Sequence, residues 1–131
     1  MSRRGLQMLG SSPVTAFLPS TDPVRSRAFY EGVLGLTVSS SDGFALVLEG
    51  GGTTIRVTRV ETFEPQPFTA LGWVVEDIVE TMAQLAQRAI EFVVFEGMGQ
   101  DVAGVWTAPG GHRIAWFKDP DANLLSLTQY A

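Results

Sequence analysis

The feature that most constrains this chain is that its two halves close in the same way. Residues 113 to 128, RIAWFKDPDANLLSLT, read as two strands joined by a tight turn. Ile114, Trp116 and Phe117 carry the bulk of the first arm. Pro120 presets φ in the turn, and its Asp and Asn neighbours can bond back to the backbone. The first half closes with GFALVLEGGGTTIRVTRV. Here residues 44 to 48 and 53 to 60 are strand-like, and Gly50, Gly51 and Gly52 make the turn.

The elements before each hairpin repeat as well. Val14, Ala16 and Leu18 alternate with Thr15 and Phe17, which predicts a strand over 14–18. Asp22 suits an N-cap and Pro23 the first helical position. Val24, Ala28, Phe29, Val33 and Leu34 then give a helix over 24–34 an apolar side, and Gly35 ends it. A short strand follows over 36–39. In the second half a strand is predicted over 68–75. Asp77 caps a helix whose Ile78, Met82, Leu85, Ala86 and Ala89 share one face. A strand over 91–95 and a glycine-containing segment over 96–111 lead to the closing hairpin. Both halves read β-α-β-β-β. The expected organisation is a flexible tail over 1–12 and a single domain over 13–130. Its modules span 13–60 and 68–130, joined by the proline-broken linker 61–67.

Composition excludes several functions. A chain of 131 residues with 45% apolar and 18% charged residues supports one domain with a core. The net charge of −5 argues against nucleic acid and anionic membranes as partners. With no cysteine there is no disulfide, thiolate metal site or cysteine nucleophile, which fits a cytoplasmic location. No apolar run approaches the roughly 20 residues of a membrane helix, and the N-terminus does not read as a secretory signal.

The strings LPSTDPVRSRAFYEGVLGL, WVVEDIVETMAQL and WFKDPDANLLSL together resemble the vicinal oxygen chelate superfamily over about residues 13 to 130. That group contains glyoxalases, extradiol dioxygenases and bleomycin-resistance proteins. The resemblance implies an α+β fold of two βαβββ modules, with mixed sheets curled around a cavity, helices outside and frequent homodimers. Its metal-dependent members carry His, Glu or Gln ligands on the first and last strand of each module. On that pattern the four ligand positions are Thr15, Arg56, Ala70 and Ser126. None is a good ligand and Arg56 would repel a cation. The expectation is therefore no metal, no cofactor and no assigned catalytic residue.

Strand alternation sorts the faces independently. Ile55 and Val57 oppose Thr54, Arg56 and Thr58, while Leu125 and Leu127 oppose Ser126 and Thr128. The bulky faces should lie under the helices and the others should line the cavity. Thr15, Phe17, Thr54, Arg56, Trp106, Ser126 and Thr128 are the candidate ligand-binding residues. Arg56 could hold a carboxylate or phosphate through paired N–H donors, or it could neutralise Glu49 or Glu76 or reach solvent. Trp106 could stack on a planar ligand or serve the core or a dimer interface, as could Trp116 and Trp73. Met98 reads as a lid residue or a gap filler. His112 suits acid–base work near neutrality or is a turn residue. Of the other acids, Asp101 is unassigned.

The leading expectation is a metal-independent binding protein for a planar or anionic small molecule. A sequestration protein for a cationic drug fits the acidic charge, but Arg56 fits an anion better. The alternatives are a metal-dependent lyase or oxygenase of glyoxalase or dioxygenase type, and a structural or regulatory domain whose cavity is filled by its own side chains.

Overall fold

The computed structural model describes residues 9 to 131. Of the expected tail, residues 1–8 lie outside the described residues, and Leu9–Ser11 is a single exposed 3-10 turn. The first module runs β1 (Thr15–Ser20), α1 (Pro23–Arg27), β2 (Thr37–Ser41), β3 (Ala45–Gly50) and β4 (Thr53–Arg59). The second runs β5 (Thr69–Val74), α2 (Ile78–Ala86), β6 (Trp106–Thr107), β7 (Arg113–Lys118) and β8 (Leu124–Gln129).

The duplicated plan holds at the level of topology. One sheet has the order β1-β4-β3-β2 and the other β5-β8-β7-β6. In each, the first strand lies parallel to the last and the other pairs are antiparallel. The architecture is α+β, two four-stranded mixed sheets with few helices. The bulky strand faces are buried as the alternation requires. Leu18, Leu46, Leu48, Ile55 and Val57 pack with Phe29 and Tyr30, while Ile78 and Met82 join Phe117, Leu125 and Leu127.

Three expectations are corrected. The helix over 24–34 is not one regular helix. Asp22 caps α1 by accepting from Arg25 N at 3.2 Å, but Ala28–Val33 is a π-helical continuation. The wider turn lets the adjacent residues Phe29 and Tyr30 both face inward, their rings 5.0 Å apart and edge to face. The second helix ends at Ala86, before Ala89. Ala89 takes φ 66°, and Ile90 N reaches back to Leu85 O at 3.1 Å, so Ala89 is a left-handed terminator rather than part of the helix face.

The strand over 91–95 is likewise absent. Only Val93 N, donating to Trp116 O at 2.8 Å, pairs with β7. The Gln100 amide takes the neighbouring groups. Its Oε1 accepts from Phe95 N at 2.6 Å, and its Nε2 donates to Val93 O at 2.9 Å and Gly104 O at 2.7 Å. A side chain thus replaces a ladder, and the sheet edge falls to β6.

The turn at 119–123 joins the modules. Buried Tyr30 donates its hydroxyl to Asp119 Oδ2 at 2.6 Å, and Asn123 Nδ2 donates to Asp119 Oδ2 at 2.8 Å and Pro19 O at 3.1 Å. Asp121 Oδ1 accepts from Thr21 and pairs with Arg25 at 3.3 Å. Ala122 takes φ 66°. From sequence, Ala in a turn position of this kind carries a strain of roughly 1 kcal/mol if φ is positive.

Candidate functional site

The candidate residues fall into two groups with different surroundings. Register places Phe17 opposite Arg56, and Thr15 opposite Thr54, on the exposed side of β1 and β4. Phe17 is 65% exposed and Arg56 is also exposed, so this inner face is open. Thr54 Oγ1 donates to Glu49 Oε2 at 2.9 Å, which commits its proton and gives Glu49 a neutral partner. Among the described residues Arg56 makes no ion pair, with Glu49, Glu76 or any other acid. Asp42 does respond to it. Backbone N–H groups of Phe44 and Ala45 hold that carboxyl below the usual range, and the Arg56 charge adds a smaller push.

Ser126 and Thr128 lie on β8, in the middle of the second sheet. Ser126 pairs in register with Gly72 on one side and Trp116 on the other. It is buried, and a Cβ at Gly72 would collide with its Oγ. Trp116 is buried too, donating Nε1–H to Thr69 Oγ1 at 3.0 Å, with Phe95 edge-on at 5.6 Å and Trp106 at 6.4 Å. Trp106 is half-buried, opposite Ile114. This face is largely occupied by its own indole ring.

The two groups do not meet in one enclosed pocket. A cavity of about 130 Å³ touches both sheets, bringing Phe17 together with Phe63, Phe68, Ala70 and Leu124. Phe63 lies within the linker, where no periodicity marks it, and Phe68 immediately precedes β5. Gly72 also carried no signal, because its role depends on a cross-strand neighbour.

His112 sits at the chain end. Its Nδ1 accepts from Ala131 N at 3.1 Å and its ring meets Tyr130 edge-on at 5.1 Å. Asp77 caps α2 as expected, accepting from Glu80 N at 3.1 Å. Asp101 folds its own loop, with Oδ1 accepting from the backbone of Ala103, Gly104 and Val105. These bonds, that of Val105 first, hold its carboxyl below the usual range.

The profile of the Glyoxalase/Bleomycin resistance protein/Dioxygenase superfamily matches residues 12 to 127. The chain belongs to this superfamily. A glyoxalase/bleomycin resistance protein/dioxygenase from Alicyclobacillus acidocaldarius superposes with a TM-score of 0.68 at 19% identity, covering 92% of each chain. A superfamily member from Sphaerobacter thermophilus gives 0.71 at 20%, covering 93% of this chain and 99% of its own. An integron cassette protein from V. cholerae gives 0.65 at 23%, covering 95% and 99%. These likenesses show the fold. No curated protein matches the chain.

Superfamily membership raises the question of a metal, and the donors at the expected positions do not fit one. Ala70 has no donor atom, Arg56 is a cation, and Thr15 and Ser126 offer only neutral hydroxyls. Among the described residues no three His, Asp or Glu side chains come together. No described helix is long and apolar enough to cross a membrane.

Proposed function

We propose that this superfamily member is a metal-independent small-molecule binding protein that acts by capture, with no reaction. The carrying observation is Arg56. It stands exposed on an inner strand of the first sheet, without an ion pair among the described residues, at a position where metal-dependent relatives are expected to place a ligand. A guanidinium there offers paired donors to a carboxylate or phosphate. Phe17 beside it provides a flat apolar wall, which favours a planar anion. Thr15 supplies a hydroxyl next to them, whereas Trp106, Ser126 and Thr128 stand on the second sheet, apart from this anchor. A homodimer fits this reading, because Phe17, Phe68 and Val74 are large apolar side chains left exposed on or beside the edge strands β1 and β5.

The first experiment is metal analysis of untagged protein, with thermal shifts on adding Ni²⁺, Zn²⁺, Mn²⁺ or Fe²⁺. The second is tryptophan fluorescence during titration with naphthoate and related planar carboxylates. Neither metal content nor a metal-induced shift is expected. A saturable carboxylate response is expected to weaken at least about tenfold in Arg56→Ala. A stoichiometric metal with a clear shift would bring the lyase or oxygenase reading forward.

A further inference from the structure

Helix α2 carries more apolar surface than the fold needs. Ile78, Met82 and Leu85 pack toward the core, the single stripe a surface helix requires. Val79, Ala83 and Ala86 form a second stripe, and with Val105 of the facing loop they line a groove of about 430 Å³. Val79 is 56% exposed, and the two alanines leave the groove its depth. Ile90 and Phe92 line this groove and also a second one of about 550 Å³, which reaches the seam between the modules. Both volumes lie in the range of about 300–1,000 Å³ typical of small-molecule sites. The two grooves adjoin at Ile90 and Phe92, a trough whose lining includes neither Ser126 nor Trp116.

The seam end of the trough carries two cations beside two acids. Arg88 and Lys118 line it, both exposed. Arg88 Nη1 donates to Val33 O at 2.7 Å, which fixes the guanidinium while leaving its other N–H donors available. Among the described residues neither cation makes an ion pair, although Glu91 lines the same end. Asp119 lies there too, but its oxygens accept from Tyr30, Asn123 and the backbone of Asp121 and Asn123. Asp101, in the apolar end, is engaged with its own loop.

We propose that this trough binds a free single-chain carboxylate amphiphile. The head group sits between Arg88 and Lys118, and the tail passes Ile90 and Phe92 into the apolar groove beside α2. Cationic donors at one end and an almost wholly apolar channel beyond them match that chemistry, whereas a compact polar anion would leave the channel empty.

The test is calorimetric titration of the full chain with decanoate, hexanoate and decanol. Decanoate is expected to bind saturably, one molecule per chain, with hexanoate and decanol each at least about tenfold weaker. Ala83→Phe fills the trough from an exposed helix position and should weaken decanoate by at least about tenfold. Lys118→Gln should weaken it by about tenfold. Thermal melts confirm that each variant is folded. Absence of saturable binding, equal affinity for hexanoate, or decanoate binding unaffected by both Ala83→Phe and Lys118→Gln would overturn the proposal.

Discussion

Replacing Tyr30 by Phe removes one oxygen from one of the bonds that join the modules. Tyr30 is fully buried, and its hydroxyl lies 2.6 Å from Asp119 Oδ2. Phe keeps the ring against Phe29, so little packing is lost. Asp119 keeps Asn123 Nδ2 and two backbone N–H groups, so the carboxylate is not stranded. What remains is the net worth of one hydrogen bond to a charged group, about 1.5–3 kcal/mol. Taking about 2 kcal/mol, a chain of this size should melt about 7 °C lower. Urea unfolding should show a lower midpoint with an unchanged slope. Tyr130→Phe is the control, since that ring is 61% exposed, and it should change stability by less than about 0.5 kcal/mol.

The same bond predicts a pH signature. Burial first, then the Asp119 charge, raises the Tyr30 phenol well above its ordinary 10.0. A pKa raised on folding contributes stability that is full below the unfolded value and is lost as pH climbs toward the folded one. The gap between wild type and Tyr30→Phe should therefore stay level below 10.0 and narrow above it. A loss under about 0.5 kcal/mol, or a gap that widens in alkali, would refute the account of the turn as the joint between modules.

Two further predictions concern local backbone. Ala122→Gly relieves a left-handed alanine at φ 66° and should raise stability by about 0.5–1 kcal/mol in urea melts. The Asp101 carboxyl is held below its ordinary 3.8, so its contribution to the loop is full above that value and is lost as pH falls through the lower folded one. Amide exchange at Ala103, Gly104 and Val105, corrected for intrinsic rates, should accelerate over that acid window, and Asp101→Asn should abolish the dependence.

Much of this fold was legible because it rests on short-range patterns. Alternation placed Ile55, Val57, Leu125 and Leu127 inward, and Asp22 and Asp77 marked both helix starts. The parts that escaped are those decided by distant partners. Nothing near Gln100 shows that its amide will take the backbone groups of Val93, Phe95 and Gly104 and so dissolve a strand. The π turn buries both Phe29 and Tyr30, and the partner of the Tyr30 hydroxyl, Asp119, lies 89 positions away in the sequence. Ala89 looked like part of an apolar helix face because its left-handed φ is imposed by Ile90 turning back to bond Leu85 O. The candidate site was legible in the same measure. Arg56, Phe17, Thr15 and Thr54 share a face by period alone, but the sequence did not show that Trp116 would cover Ser126.

That asymmetry bears on how a duplicated scaffold acquires one working face. The sheets share strand order and the sense of each pairing, so their faces are equivalent platforms in physical terms. On the second, Gly72 makes room for Ser126, and the Trp116 indole closes over the strand, anchored by Thr69 and flanked by Phe95 and Trp106. On the first, the side chain across from Phe17 is a guanidinium, which is costly to bury without an anion. A face filled with aromatic rings gains stability from packing, whereas a face centred on Arg56 remains open until something negative covers it. If the capture reading holds, lining up an acid beside that guanidinium should remove ligand binding while raising stability. Val47→Glu, at the register position on β3 opposite Arg56, makes that exchange. A variant that binds planar carboxylates as well as wild type would show that Arg56 is not the anchor.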